Sequence, residues 1–146
     1  GLPISVSGPS VTYIWFSIDK FGSTLVMTGD YGVIARSTDG GLTWNSGNNL
    51  HSTALMYDVQ TMPGTSKVWV VGRAFNGTEK EIFYSSNSGN NWITYNLGFT
   101  GDIFSISMVN QQTGYISGQL RAAMFLKQPT GEIIGYSTQP AEQEKT

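Results

Sequence analysis

Ser37-Thr38-Asp39-Gly40-Gly41-Leu42-Thr43-Trp44 is the stretch whose reading decides the fold. Asp39 is placed to accept hydrogen bonds from backbone N–H groups ahead of it, as Asx turns do. Gly40 and Gly41 supply the positive-φ conformations that a tight hairpin demands. Thr43 and Trp44 then open a strand, with Trp44 turned to the buried side. A weaker copy, Ser85-Ser86-Asn87-Ser88-Gly89-Asn90-Asn91-Trp92, stands 48 residues further on. Ser85 matches Ser37, Asn87 replaces Asp39, Gly89 matches Gly41 and Trp92 matches Trp44, all at that one spacing. Four matches at one spacing make a repeat, and a repeat sets the architecture.

Both octets resemble the Asp-box, the bacterial neuraminidase repeat Ser-x-Asp-x-Gly-x-Thr-Trp. The first fits at Ser37, Asp39, Gly41, Thr43 and Trp44. The second keeps Ser85, Gly89 and Trp92 but carries Asn87 for the acid and Asn91 for Thr. The resemblance implies a hairpin between the third and fourth strands of a β-propeller blade, away from the central axis, where it staples the blade and catalyses nothing. The longer phrase from Gly32-Val33-Ile34-Ala35-Arg36 through Trp44 is similar to the photosystem II assembly and stability factor propellers. Related phrases occur in sortilin-type receptors, sialidases and large glucan hydrolases, so the resemblance implies a fold more than a task. It covers about residues 11–136, closely in the first repeat and loosely in the third.

Outward from the octet, strand and turn signals alternate. Val11 to Ile18, Thr24 to Thr28 and Val33 to Arg36 read as three strands before the one that Trp44 opens. The order returns as Thr53 to Gln60, Val68 to Val71 closed by Gly72, Ile82 to Tyr84, the second octet, and Trp92 to Tyr95. A third round runs through Ile103 to Val109, Tyr115 to Gly118 and Ala122 to Leu126. In it Gln128-Pro129-Thr130-Gly131 stands in place of the octet and Ile133-Ile134 in place of the Trp. Gly29, Gly72 and Gly118 end equivalent strands. The expectation is an all-β propeller portion, residues 1–136, of about three four-stranded antiparallel blades (about 11–47, 48–98 and 99–136), with a polar tail or linker over 137–146. Ile4 to Ser7 reads as the last strand of a preceding blade or as a ring-closing strand.

Composition narrows the function classes. The 146 residues carry a net charge of −2 with only 12% charged residues, so a basic nucleic-acid surface and a polybasic membrane patch are not expected. No apolar run approaches the roughly 18 residues that span a bilayer. With no Cys, disulfides, thiolate metal sites and a Cys nucleophile are excluded. The sequon Asn76-Gly77-Thr78 is a candidate N-glycosylation site, and an extracellular, lumenal or periplasmic setting is expected. The chain opens on Gly1 rather than Met, as a processed product or a portion of a longer chain does. Propellers close with about four to eight blades, so three would leave open faces. That points to a longer parent chain or to self-association through open blade edges.

Catalytic chemistry finds little support. A sialidase-type site needs an arginine cluster, a Tyr–Glu pair and an Asp acid/base. The three arginines are Arg36, Arg73 and Arg121, of which only Arg73 and Arg121 project towards one rim and form the candidate binding rim. Asp19, Asp58 and Asp102 fall near equivalent first strands, a placement a repeat produces without catalytic demand. His51 is the one His and stands apart from other ligand types, so neither a metal nor a cofactor is expected. Trp15, Tyr31, Trp69, Tyr95 and Tyr115 are read as blade packing. The function expected is a non-catalytic binding or assembly module for a protein or glycan partner. A portion of a carbohydrate-active hydrolase and a structural subunit of an extracellular assembly stand as alternatives.

Overall fold

The computed structural model describes residues 6–7, 13–46, 54–73, 82–95, 102–118, 122–127 and 132–138. Three antiparallel sheets follow one another along the chain. The first is built from β2 (Trp15–Phe21), β3 (Thr24–Gly29), β4 (Ile34–Ser37) and β5 (Trp44–Ser46). The second holds β6 (Leu55–Thr61), β7 (Val68–Arg73), β8 (Ile82–Ser85) and β9 (Ile93–Tyr95). The third holds β10 (Ile103–Met108), β11 (Thr113–Gly118), β12 (Ala122–Lys127) and β13 (Glu132–Thr138). Each sheet is a meander in sequence order, and the first strands β2, β6 and β10 touch one another from sheet to sheet. These are adjacent blades of a partial β-propeller.

The core lies between the sheets rather than within them. Val26 and Ile34 of the first blade pack on Met56, Val59, Val68, Val70 and Phe83 of the second. Trp69, Val71 and Ile82 of the second blade pack on Ile103, Ile106, Met108 and Ile116 of the third. Alternate residues of a strand face opposite sides, so Val68 and Val70 serve one seam while Trp69 and Val71 serve the other. All four are fully buried, which is why this strand reads as an unbroken apolar run. The third blade's β11 instead alternates, with Gly114 and Ile116 buried but Tyr115 and Ser117 exposed.

Three expectations are corrected. The N-terminal strand, β1 (Val6–Ser7), neither belongs to a separate blade nor closes a ring. It pairs in parallel with β5, Val6 opposite Trp44 and Ser7 opposite Asn45, making the first sheet five-stranded. A blade's outermost edge presents unpaired backbone groups, and β1 takes them up. Tyr31 and Tyr115 are exposed rather than packed into blades. Tyr31 sits at φ 50 in a 3-10 turn, Asp30–Gly32, and Tyr115 lies on the outward face of the third blade. The final strand also runs to Thr138, two residues into the stretch read as tail.

Candidate functional site

The first octet is held by its own side chains. Ser37 Oγ donates to Asp39 Oδ1 at 2.8 Å and accepts the Gly41 N–H at 2.9 Å. Asp39 accepts the Thr43 N–H at 2.9 Å on one oxygen and the Thr43 hydroxyl on the other. Trp44 Nε1 donates to the Gly41 carbonyl at 3.1 Å, folding the indole under the turn. The Thr43 hydroxyl and N–H, then the Ser37 hydroxyl, hold the Asp39 carboxyl down at about 2 against an ordinary 3.8. The second octet repeats the scheme with an amide. Ser85 Oγ donates to Asn87 Oδ1 at 3.0 Å, Gly89 N–H donates to Ser85 Oγ at 2.8 Å, and Asn91 N–H donates to Asn87 Oδ1 at 2.8 Å. An amide oxygen thus serves where the carboxylate did. Trp92 Nε1 is buried and finds no acceptor among the described residues.

Each octet is also tied to the first turn of its own blade. Gly40 N–H donates to Ser23 O at 2.8 Å, and Ser88 N–H donates to Ser66 O at 2.7 Å. Gly40 holds φ 75, which Gly adopts freely; its counterpart Ser88 is held at φ 60, where a Cβ is strained. Thus Ser37, Asp39, Gly41, Thr43 and Trp44, with Ser85, Asn87, Gly89 and Trp92, lie in turns whose polar groups face each other.

The carboxylates of the first strands are spent on the seams. Asp58 accepts Ser17 Oγ of the first blade at 2.9 Å on Oδ1. On Oδ2 it accepts Ser105 Oγ at 2.9 Å and Ile106 N–H at 3.0 Å, both of the third blade. One side chain therefore joins three blades. Asp19 Oδ2 accepts both the N–H and the hydroxyl of Thr61, at 2.7 and 2.8 Å. At the next seam the equivalent residue, Gln60, accepts the Met108 N–H through Oε1. The pattern is a two-rung ladder in which side chains of one blade cap the free N–H groups on the next blade's first strand.

A second repeat lies at the start of those strands. Each pairing with the second strand carries a bulge, between Trp15 and Ser17, Met56 and Asp58, and Ile103 and Ser105. The extra residue is aromatic each time: Phe16, Tyr57 and Phe104. A bulge re-aims its side chain, and the three rings form one row, with centroids 5.6 and 5.2 Å apart and planes tilted by 47° and 68°. Phe16 and Phe104 are 41% and 47% exposed. Opposite each bulge stands a glycine at the end of the second strand or one residue before it. A Cβ at Gly29, Gly72 or Gly118 would overlap the carbonyl oxygen of Ile14, Leu55 or Asp102.

No family model and no curated protein matches the chain. Among solved structures it resembles YCF48 from Cyanidioschyzon merolae, with a TM-score of 0.62 at 17% identity, over 86% of this chain and 36% of that one. The chain is a partial β-propeller. It spans about a third of that relative's length. A structure of YCF48 bound to a D1 peptide matches with a TM-score of 0.42 at 12% identity, over 86% of this chain and 54% of that one.

Of the rim residues expected from sequence, Arg73 is half exposed, and its Nε lies 3.3 Å from Asp102 Oδ1, across the seam between the second and third blades. Arg121, Asn76 and His51 lie outside the described residues. Asp30 turns its Oδ1 to the Ile14 N–H at 2.9 Å. Among the described residues no group of three His, Cys, Asp or Glu side chains is placed to hold a metal ion. No helix among them is long and apolar enough to cross a membrane. The ladder and the aromatic row went unread in the sequence. Neither the octets nor Gly29, Gly72 and Gly118 bring them into register, because Phe16, Tyr57 and Phe104 recur after 41 and 47 residues and the glycines after 43 and 46.

Proposed function

We propose that this chain is a non-catalytic binding and assembly module whose partner is a polypeptide, and that its octets are Asp-box hairpins with a stapling role. The observation that carries this is the fate of the first-strand carboxylates. A glycosidase needs two carboxyl groups facing one cleft, whereas Asp19 and Asp58 spend their oxygens on Thr61, Ser17, Ser105 and Ile106. What the blades present instead is a rigid frame with aromatic rings and turn residues at its surface, a scaffold suited to recognition. The rings of Phe16, Tyr57 and Phe104 pack on one another with tilted planes, an irregular apolar surface that suits a polypeptide better than a run of stacked sugars. Arg73, Arg121 and the loop holding Asn76 form the rim proposed to frame contact at one end, and an extracellular, lumenal or periplasmic setting accords with it.

A second proposal, of a structural role, draws on the blade faces. Ile18 is 53% exposed, while its counterparts Val59 and Ile106, covered by the preceding blade, are 4% and 6% exposed. Tyr115 is half exposed where Val26 and Trp69 are buried. Such faces suit a further blade, from the same polypeptide or from another copy. The functional test pairs two assays on the purified chain: saturable binding to immobilised polypeptides, and turnover of a panel of fluorogenic glycosides. Saturable polypeptide binding without turnover is expected; turnover that tracks the protein overturns the proposal.

A further inference from the structure

At the end of the blades opposite Arg73, three turns enclose an open cleft of about 860 Å³. The end of β2 contributes Lys20 and Phe21, the turn after β6 contributes Pro63 and Lys67, and the turn after β10 contributes Gln111. These turns are set by their own hydrogen bonds. Met62 N–H donates to Lys67 O at 3.1 Å and Thr65 Oγ1 to Met62 O at 2.8 Å. Asn110 Oδ1 takes the N–H groups of Gln112 and Thr113, both at 2.8 Å. The cleft therefore has fixed walls rather than a shape made by loose loops.

The charged side chains that line it are both cationic, Lys20 and Lys67, with no carboxylate among the lining residues. Neither Lys20 nor Lys67 has an ion-pair partner among the described residues. Asp19, beside Lys20 in sequence, turns one oxygen into the seam with Thr61 and gives the other to the Lys20 N–H. Asp39, whose turn is bonded to Ser23, gives its oxygens to Ser37 and Thr43. Two lysines with no ion-pair partner among the described residues thus line the cleft together with the apolar Phe21 and Pro63, in a chain whose net charge is −2. We infer that this cleft docks an acidic polypeptide segment, with carboxylates on the two ammonium groups and an apolar side chain between them. The charge complementarity selects the anion, and the open span across three turns suits an extended chain. Two lysines fall short of the roughly four to eight basic residues that a lipid surface calls for, and the net negative charge disfavours nucleic acid. The inference rests on the proposed role in polypeptide binding and names its site and the chemistry of its partner.

The test is fluorescence anisotropy with a labelled peptide built on Asp-Glu-Leu-Asp-Glu, and with its Asn-Gln-Leu-Asn-Gln counterpart. The expected result is binding of the acidic peptide, weakened about fivefold by Lys20→Gln or Lys67→Gln and reduced as salt rises from about 50 to 300 mM. Near-UV circular dichroism checks that both variants keep the native fold. Equal affinity for the two peptides, or no change in either lysine variant, overturns the inference. So does preferential binding to phosphatidylglycerol vesicles. Binding that moves with Arg73→Ala but not with the lysines sinks this site while leaving the polypeptide-binding role standing; no binding to any polypeptide sinks both.

Discussion

Replacing Asp58 by Ala removes the one side chain that joins three blades. Three cross-blade hydrogen bonds are lost, from Ser17 Oγ, Ser105 Oγ and Ile106 N–H, together with a local one from Val59 N–H at 3.0 Å. Hydrogen bonds to a charged acceptor contribute about 1.5–3 kcal/mol each when buried, and the half-buried seam calls for the lower end or less. Three bonds at about 1–1.5 kcal/mol give a loss of about 3–4 kcal/mol, a large part of a domain's usual margin. With a urea slope of about 2 kcal/mol/M, the midpoint of unfolding falls by about 1.5–2 M. Asp58→Asn keeps one acceptor oxygen and turns an NH2 group on the remaining donors, and is expected to lose about half as much. Trp fluorescence reports the transition, and a double-mutant cycle localises it. Ser17→Ala costs about 1 kcal/mol in the native background and close to nothing once Asp58 is Ala. An Asp58→Ala midpoint no lower than that of Ser17→Ala alone, or full additivity of the two, refutes the three-blade bridge.

Other perturbations follow from the same geometry. Ser88→Gly relieves a side chain held at φ 60 while keeping the Ser88 N–H to Ser66 O bond, and is expected to stabilise by about 0.5–1 kcal/mol in the same urea assay. Gly72→Ala drives a Cβ into the Leu55 carbonyl and to 3.0 Å from Met56 Cα, so a loss of about 3 kcal/mol or more is expected from thermal or urea unfolding. Carboxyl carbon shifts should show Asp39 titrating at about 2, and Thr43→Val should move it back towards 3.8. Because the folded value is the depressed one, the Asp39 contribution to stability is present above about pH 3.8. It is lost as pH falls through about 2.

How far the sequence carried the fold is explained by which interactions are local. The octet around Asp39 and its copy around Asn87 are closed by bonds spanning two to four residues, so residue type and spacing reveal them. Gly29, Gly72 and Gly118 stood out because each marks a close approach of the strand before it. The seam ladder is different in kind. Its partners are 41 to 48 residues apart, and its equivalent positions are filled by different residues: Ser17, Asp58 and Ser105 on one rung, Asp19 and Gln60 on the other. Any side chain with an oxygen at the right height can cap the neighbouring N–H, so no single letter recurs. The aromatic row was hidden by its spacing. Phe16, Tyr57 and Phe104 recur after 41 and 47 residues, whereas the octets recur after 48. The third repeat matches only loosely because Gln128-Pro129-Thr130-Gly131 stands in place of the octet and Ile133-Ile134 in place of the Trp, and its β11 alternates as well. On that strand Tyr115 and Ser117 are exposed while Gly114 and Ile116 are buried, so the pattern of a buried strand fades.

The central claim is that side chains of the first strands hold the blades together rather than act on a substrate. Native-state amide exchange at Thr61, Ile106 and Met108, followed by NMR in the native chain and in Asp58→Asn, tests it most directly. Their N–H groups are capped across the seams by Asp19, Asp58 and Gln60 respectively. All three are predicted to exchange slowly in the native chain, with Ile106 losing more protection than Met108 when Asp58 becomes Asn. Exchange of Ile106 at the rate of an exposed turn amide, or equal loss at both positions in the variant, would contradict the claim.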